Sequence, residues 1–336
     1  MKPSDSRGHA MDAASIHKLS TGVKPLDVQG HAMDAVSVRK PSTGMKPWTQ
    51  VERVARLSPE ALAKRTTPVI LTRAISDWPA LRKWTPAYFR DVCGEQEVWL
   101  HRFTRRNALK ATLGTYVDGL EGRGPLADGG PDLYFAYDAS VLGGSNRLRE
   151  DFDFRPLFPS GMGLPKTGLW MGRKGAHTPL HYDIDAINLH AVLRGRKRFI
   201  LFPPEDSARL YPSDVFEWTT VFSEVRVARP DLARHPEAAH AQGYEAVINP
   251  GEVLLLPPGW WHDVSSLEDS LSLNAWWVTP GLFAGPSLWR ENARALLHRL
   301  GLHARNRCTC CGHGDLRLHL GWDEAPAMPM PLAKAG

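Results

Sequence analysis

From Gly168 to Thr279 the chain is cut into short apolar segments, "GLWMG", "LHYDI", "NLHAVL", "KRFILF", "EAVINPGEVLLLPPG", "HDVSSL" and "LSLNAWWV", set apart by Gly, Pro and Asp. Runs of this length, closed by turn formers, predict strands. Many such strands without intervening helical patterns predict a mainly β fold, a barrel or jelly roll, in place of an alternating strand and helix sheet. The preceding part is mixed. "WTQVERVARLSPEALAKR" predicts short helices with a start at Ser58, and "TPVILTRA" predicts a strand. "DWPALRKWTPAYFRDVCG" predicts a helix from about Pro86 to Gly94, because proline suits a first helical turn and disfavours helical geometry in the residue before it. "QEVWLHRF" and "DLYFAYDA" predict two more strands, the second after the Gly/Pro-rich loop "EGRGPLADGGP". Past Gly281, Trp289, Ala293, Leu296, Leu297 and Leu300 form a helical stripe that ends near Gly301, suited to a core or to a face shared by two copies.

The first 47 residues follow another pattern. "GHAMDAASIHKLSTGVKP" from Gly8 returns as "GHAMDAVSVRKPSTGMKP" from Gly30, a period of 22 residues. Two copies rich in Ser, Gly, Lys and Pro cannot build the continuous core of a solenoid, so a disordered tail is expected. The expected organisation is this tail over 1–47, a domain over 48–280 with an α/β part (48–165) and a barrel core (166–280), and a C-terminal helix with a Cys/His-containing tail over 281–336.

Composition narrows the class. An apolar fraction of 43% in 336 residues supports a real core. No apolar run is long enough to cross a bilayer, and the N-terminus lacks the apolar stretch of a secretory signal, so a cytoplasmic protein is expected. Four cysteines are too few for a disulfide framework in a chain of this size and fit a reducing compartment. Cys308, Cys310, Cys311 and His313 form a ligand-type cluster without standard zinc-finger spacing, which leaves structural zinc and free thiols both open. The net charge of +5 is carried partly by the short basic runs "HRFTRRNALK" and "RGRKR". No nucleic-acid-binding motif accompanies them, which favours solvated surface.

The candidate chemistry lies in "HTPLHYDIDAINLH", His177 to His190. Pro179 disfavours a helix here and removes the reading in which His177 and His181 bind metal from one helical face. On a strand, alternation places His181, Asp183 and Asp185 on one side. A third ligand must come from another strand, and His262 follows the Pro-Pro-Gly turn in "GEVLLLPPGWWHDV". Two histidines and one carboxylate form the facial triad of non-haem Fe(II) oxygenases, which leaves three octahedral positions open; zinc favours four-coordinate sites.

At these residues the sequence resembles the JmjC-type, cupin-fold oxygenases that use Fe(II) and 2-oxoglutarate, in particular the small hydroxylases typified by the asparaginyl hydroxylase of hypoxia-inducible factor and the tRNA wybutosine hydroxylase. The resemblance runs from about Thr66 to Thr279 through "TPVIL", "DWPAL", "LYFAY", "HTPLHYD", "GRKRFILFPP", "LYP", "NPGEVLLLPPGWWH" and "LNAWW". It implies a double-stranded β-helix core with flanking N- and C-terminal helices. It makes His181, Asp183 and His262 the iron ligands and sets Lys197 against the distal carboxylate of 2-oxoglutarate, with Thr178 and Tyr134 as hydroxyl donors. Asn188 and Asn274 match family asparagines near the cofactor. Arg196 and Arg198 flank Lys197, and Asn188 and Lys197 stand one residue further from His181 than in several members, which implies a bulge or longer loop after the ligand pair. The implied reaction consumes O2 and 2-oxoglutarate, hydroxylates an aliphatic C–H, and releases succinate and CO2. A protein or peptide side chain is the implied substrate; a small molecule or tRNA base is the alternative, and an inert cupin binding module a further one. Membrane partners are not expected, and a homodimer through the C-terminal helix is one reading of the stripe there. Trp260, Trp261, Trp276 and Trp277 are either cleft lining or barrel packing, and His177, Asp185 and His190 are read as neighbours without an assigned role.

Overall fold

Fifteen strands account for most of the regular structure among the described residues of the computed structural model, which are 44–102, 105–160, 165–183, 186–217, 220–277, 286–304 and 308. They are β1 (Thr49–Gln50), β2 (Glu52–Val54), β3 (Val69–Leu71), β4 (Glu97–Arg102), β5 (Arg105–Thr112), β6 (Tyr134–Asp138), β7 (Lys166–Gly172) and β8 (His177–Asp183). The series continues with β9 (Ile187–Arg194), β10 (Lys197–Phe202), β11 (Thr220–Phe222), β12 (Tyr244–Ile248), β13 (Val253–Leu256), β14 (Trp261–Ser266) and β15 (Ser270–Trp277). A smaller sheet runs β1-β12-β10-β14-β8-β11, and a larger one β2-β3-β13-β9-β15-β7-β6-β4-β5. The fold is mainly β with a jelly-roll core, in agreement with the pattern of short apolar segments.

Alternation along the strands sorts side chains into three apolar layers. Ile70, Val192 and Leu254 of the larger sheet meet Phe199, Leu201 and Val264 of the smaller one, which makes the space between the sheets the core of the jelly roll. The residues between them on the same strands, Val69, Leu71, Leu189, Ala191 and Leu255, turn outward and pack under Trp78, Trp84 and Phe89. Leu180, Ile200, Phe202 and Trp261 cover the outer face of the smaller sheet together with Met45, so packing begins ahead of Trp48. Each fully buried large apolar side chain contributes about 1.5–3 kcal/mol, which makes strand register the strongest local constraint.

The helix Pro86–Cys93 forms as its sequence predicts: Thr85 caps it by accepting from the Tyr88 N–H (3.1 Å), and Pro86 opens the first turn. The helix Pro59–Ala63 is capped in the same way by Ser58. Behind them the fully buried Asp151 carboxylate accepts from Lys83 Nζ (2.6 Å), Trp84 Nε1 (2.9 Å) and Tyr88 OH (2.8 Å) and ties this helical layer together.

Two expectations change. Residues 49–50 and 52–54 are strands, not helix, because β1 and β2 pair in parallel with β12 and β3 and tertiary pairing outweighs local preference. The C-terminal helix Pro286–Arg299 exists, but Leu296, Leu297 and Leu300 are exposed and do not form core; His298, on its buried side, stacks on Phe216 at 4.2 Å. No helix among the described residues is long and apolar enough to cross a membrane. Residues 1–43, which hold the first copy of the repeat and all but the last four residues of the second, Asp185, and Cys310, Cys311 and His313 lie outside the described residues, while Cys308 is buried and forms a β-bridge with Phe216.

Candidate metal and cosubstrate site

The site begins with an irregularity in β8. His181 pairs with His262 on β14, whereas Val264, two residues on, pairs with Thr178, three residues back. The extra residue falls at Pro179 and Leu180, where proline has no N–H to give to the ladder. Strict alternation would put Thr178 and His181 on opposite faces; the bulge turns both toward the interior. His177, paired with Ser265, faces the other way and meets Asp263 at 2.9 Å.

The structure brings His181, Asp183 and His262 together, with one ligand atom from each lying within 4.8 Å of the others; no other such cluster of His, Cys, Asp and Glu occurs among the described residues. Each imidazole is tied through Nδ1 to the carbonyl two residues before it, His181 to Pro179 (2.6 Å) and His262 to Trp260 (3.0 Å). With Nδ1–H donating, Nε2 keeps its lone pair for a metal. Burial, followed by the neighbouring His262, pushes His181 down to about 4, so it is neutral near pH 7. Asp183 Oδ2 accepts from Asn188 Nδ2 (2.7 Å) and Trp276 Nε1 (2.9 Å). The relay continues from Asn274 Nδ2 to Asn188 Oδ1 (3.3 Å) and from Trp170 Nε1 to Asn274 Oδ1 (2.6 Å). Asn188 thus orients the carboxylate directly, and Asn274 does so through Asn188.

Lys197 lies on the interior face of β10 with Phe199 and Leu201 and is only 3% exposed. Its Nζ donates to Tyr134 OH (2.7 Å) and stands 5.4 Å and 5.8 Å from the Tyr134 and Trp170 ring centres. No carboxylate among the described residues pairs with it, and burial pushes its ammonium down to about 7. Its neighbours face outward instead, Arg196 to Glu268 and Arg198 to Glu245. Burial likewise raises the Tyr134 phenol, which stays a neutral donor. Gly172 lets Tyr134 approach: a Cβ there would meet the ring at 2.6 Å. Thr178 is buried on the same wall of the smaller sheet as the metal group.

Of the four tryptophans, Trp260 (Nε1 to the Thr66 carbonyl), Trp261 (Nε1 to Ser207 Oγ) and Trp277 (against Phe158) are packing residues, and Trp276 belongs to the site. Trp170, Gly172, Ser272 and His190 are the contributions that the sequence did not reveal. The sequence leaves His190 as a neighbour without an assigned role; its Nε2 is buried and has no hydrogen-bond partner among the described residues. Burial and then the charges of His262, Lys197 and His181 hold this imidazole well below its ordinary pKa. The signal was available: His190 stands two residues from Asn188 on a strand, and therefore on its face.

Residues 55–281 match the family model of the cupin-like domain. Over 243 residues, 65% of this chain and 49% of the relative, the sequence is 33% identical to HSPB1-associated protein 1 of Homo sapiens. Lysine-specific demethylase JMJ31 of Arabidopsis thaliana is 35% identical over 132 residues, 39% of this chain and 24% of that protein. Jumonji C domain-containing protein 5 of Drosophila melanogaster is 28% identical over 220 residues, 62% and 54% respectively. The chain spans about half the length of the HSPB1-associated relatives it matches.

Proposed function

Because the chain belongs to the cupin-like, JmjC-type family of 2-oxoglutarate oxygenases, we propose that it is an Fe(II)- and 2-oxoglutarate-dependent dioxygenase that hydroxylates an aliphatic C–H, on a protein or peptide side chain. The observation that carries this reading is a buried lysine without a counter-ion among the described residues, on the same interior wall as a two-histidine, one-carboxylate group. Both halves fit the absent groups. A desolvated ammonium is costly until an anion meets it, and a dicarboxylic acid supplies one. Two nitrogens and one oxygen suit Fe(II) and leave positions for a chelating acid and dioxygen.

When bound, Fe(II) and 2-oxoglutarate would activate dioxygen, the oxidant, with one oxygen atom going to the substrate C–H and the other into succinate as CO2 is lost. The chain's own residues set that chemistry in place. His181, Asp183 and His262 hold the metal, and the Nδ1 bonds to Pro179 and Trp260 fix which imidazole nitrogen faces it. Asn188 and Trp276 aim the Asp183 carboxylate. Lys197 neutralises the distal carboxylate, with the Tyr134 and Thr178 hydroxyls as further donors. Phe199, Leu201 and Val264 keep the interior dry, which strengthens each of these contacts.

The relatives named as lysine-specific demethylases support a protein substrate. Small molecules and tRNA bases remain the alternative substrates, and an inert cupin scaffold the alternative role. Oxygen-dependent formation of succinate, lost in His181→Ala and Asp183→Ala, separates enzyme from scaffold. Mass spectrometry of a peptide, RNA and metabolite panel then identifies the target. Gain of one oxygen marks hydroxylation, whereas loss of a methyl group from a methyl-lysine peptide would redirect the reading to demethylation. No succinate under any condition would sink the enzyme reading.

A further inference from the structure

We propose that His190 is a further cosubstrate-binding residue of this chain, donating from Nε2 to a carboxylate of the dicarboxylic acid that Lys197 holds. The inference rests on the site reading given above.

His190 projects from β9 on the wall formed by the larger sheet, opposite the wall that carries Lys197 and His262. Its ring centre lies 5.0 Å from that of Phe199, two residues from Lys197 on the same face of β10, and 6.1 Å from that of His262. The side chain is only 8% exposed, and its Nε2 makes no hydrogen bond among the described residues. Ser272 Oγ, on the same wall in the row of Val192 and Trp170, is also buried and unpartnered. Lys197 on the facing wall has Tyr134 OH as its one hydrogen-bond partner among the described residues. Unmet polar atoms therefore face one another across a single interior.

A hydrogen-bonding group buried without a partner destabilises a fold, so a ligand that supplies the partner gains the difference on binding. An acid with two carboxylates satisfies both walls at once: Lys197 from the smaller sheet, His190 from the larger. Phe199 closes one flank of the imidazole ring, and Leu254 of β13 stands opposite His190 in register.

The experiment uses the full chain loaded with Mn(II) in place of iron, and titrates 2-oxoglutarate calorimetrically into the native protein and into His190→Phe, His190→Gln and Lys197→Met. Mn(II) affinity and melting temperature are measured alongside. His190→Phe is expected to weaken 2-oxoglutarate binding by about tenfold to a hundredfold, the scale of a hydrogen bond to a charged group. It should leave Mn(II) affinity unchanged and not lower the melting temperature of the cosubstrate-free protein. His190→Gln, which keeps a side-chain N–H, should recover most of the affinity.

Native affinity in His190→Phe beside weakened binding in Lys197→Met overturns the inference and leaves the site reading standing. Native affinity in both variants, or no binding by the native protein, overturns the site reading and the inference with it. Loss of Mn(II) affinity in His190→Phe, or no recovery in His190→Gln, shows that His190 supports the metal group or the packing and also overturns the proposal. Should phenylalanine fail to fit, His190→Leu provides the same comparison.

Discussion

Asp151 and Lys197 are both buried ionisable groups, and they are provided for in opposite ways. The Asp151 carboxylate is surrounded by Lys83, Trp84 and Tyr88, so the fold itself satisfies it. Lys197 has one phenol, two aromatic faces and no carboxylate among the described residues. The first arrangement is complete without a ligand; in the proposed reading the second is completed by one. A buried charge thus marks structure when the protein closes its own hydrogen-bond ledger and marks binding when it does not.

The contrast breaks first at Asp151. Asp151→Ala should destabilise the fold by about 1–3 kcal/mol, because it leaves the buried Trp84 indole N–H and the half-buried Tyr88 hydroxyl without their acceptor, whereas the exposed Lys83 ammonium stays solvated. Urea unfolding measures this, and 2-oxoglutarate affinity of the remaining folded protein should be native. Lys197→Met should do the reverse, lowering 2-oxoglutarate affinity by about a hundredfold or more while leaving stability equal or higher, since it removes an uncompensated buried charge. If Lys197→Met lowers stability as much as Asp151→Ala does, the distinction between the two charges fails. Trp276→Phe removes one of two donors to Asp183 and should weaken metal binding by about tenfold to a hundredfold, read by competition with a chelator.

The pH dependence sharpens the same contrast. Lys197 sits at about 7 in the folded, cosubstrate-free protein, against an ordinary 10.5 when unfolded. Between these values the unfolded chain carries a proton that the folded chain lacks, so stability rises with pH across this window; below it both states are protonated and the dependence vanishes. Lys197→Met should abolish the rise. Binding a dianion re-protonates the lysine, so above pH 7 2-oxoglutarate binding should take up a proton and weaken by up to about tenfold per pH unit. Calorimetry in two buffers of different ionisation heat checks the proton count. The smallest effect is expected for Gly172→Ala, where the added methyl displaces the Tyr134 ring and should weaken 2-oxoglutarate binding by a few-fold.

Much of this was legible in the sequence because period-two patterning and turn residues are local signals. The core strands and the capped helix at Pro86 follow from them, and the family resemblance singles out His181, Asp183 and His262, which the fold brings together, and Lys197, which it buries. Other features depend on partners distant in the chain. β1 and β2 are strands only because β12 and β3 lie beside them. The bulge at Pro179 is defined by register against β14, so alternation counted from His181 alone misplaces Thr178. Asn188 and Asn274 are legible, but the relay from Trp170 through Asn274 and Asn188 to Asp183, with Trp276 as a second donor to that carboxylate, needs three strands in register. His190 was visible and undervalued, because a sequence does not show whether a buried nitrogen has found a partner.

The metal group is anchored in two distinct ways, which has a consequence for how damage would spread. Each imidazole is steadied by a carbonyl of its own strand, two residues back, and so carries its alignment with it. The carboxylate takes its alignment from Asn188 and Trp276 on the opposite sheet. In the proposed reading, strain arriving along β9 or β15 would reach a bound metal through the Asp183 carboxylate while the two imidazoles keep their alignment, and such a centre should lose its geometry before it loses its metal.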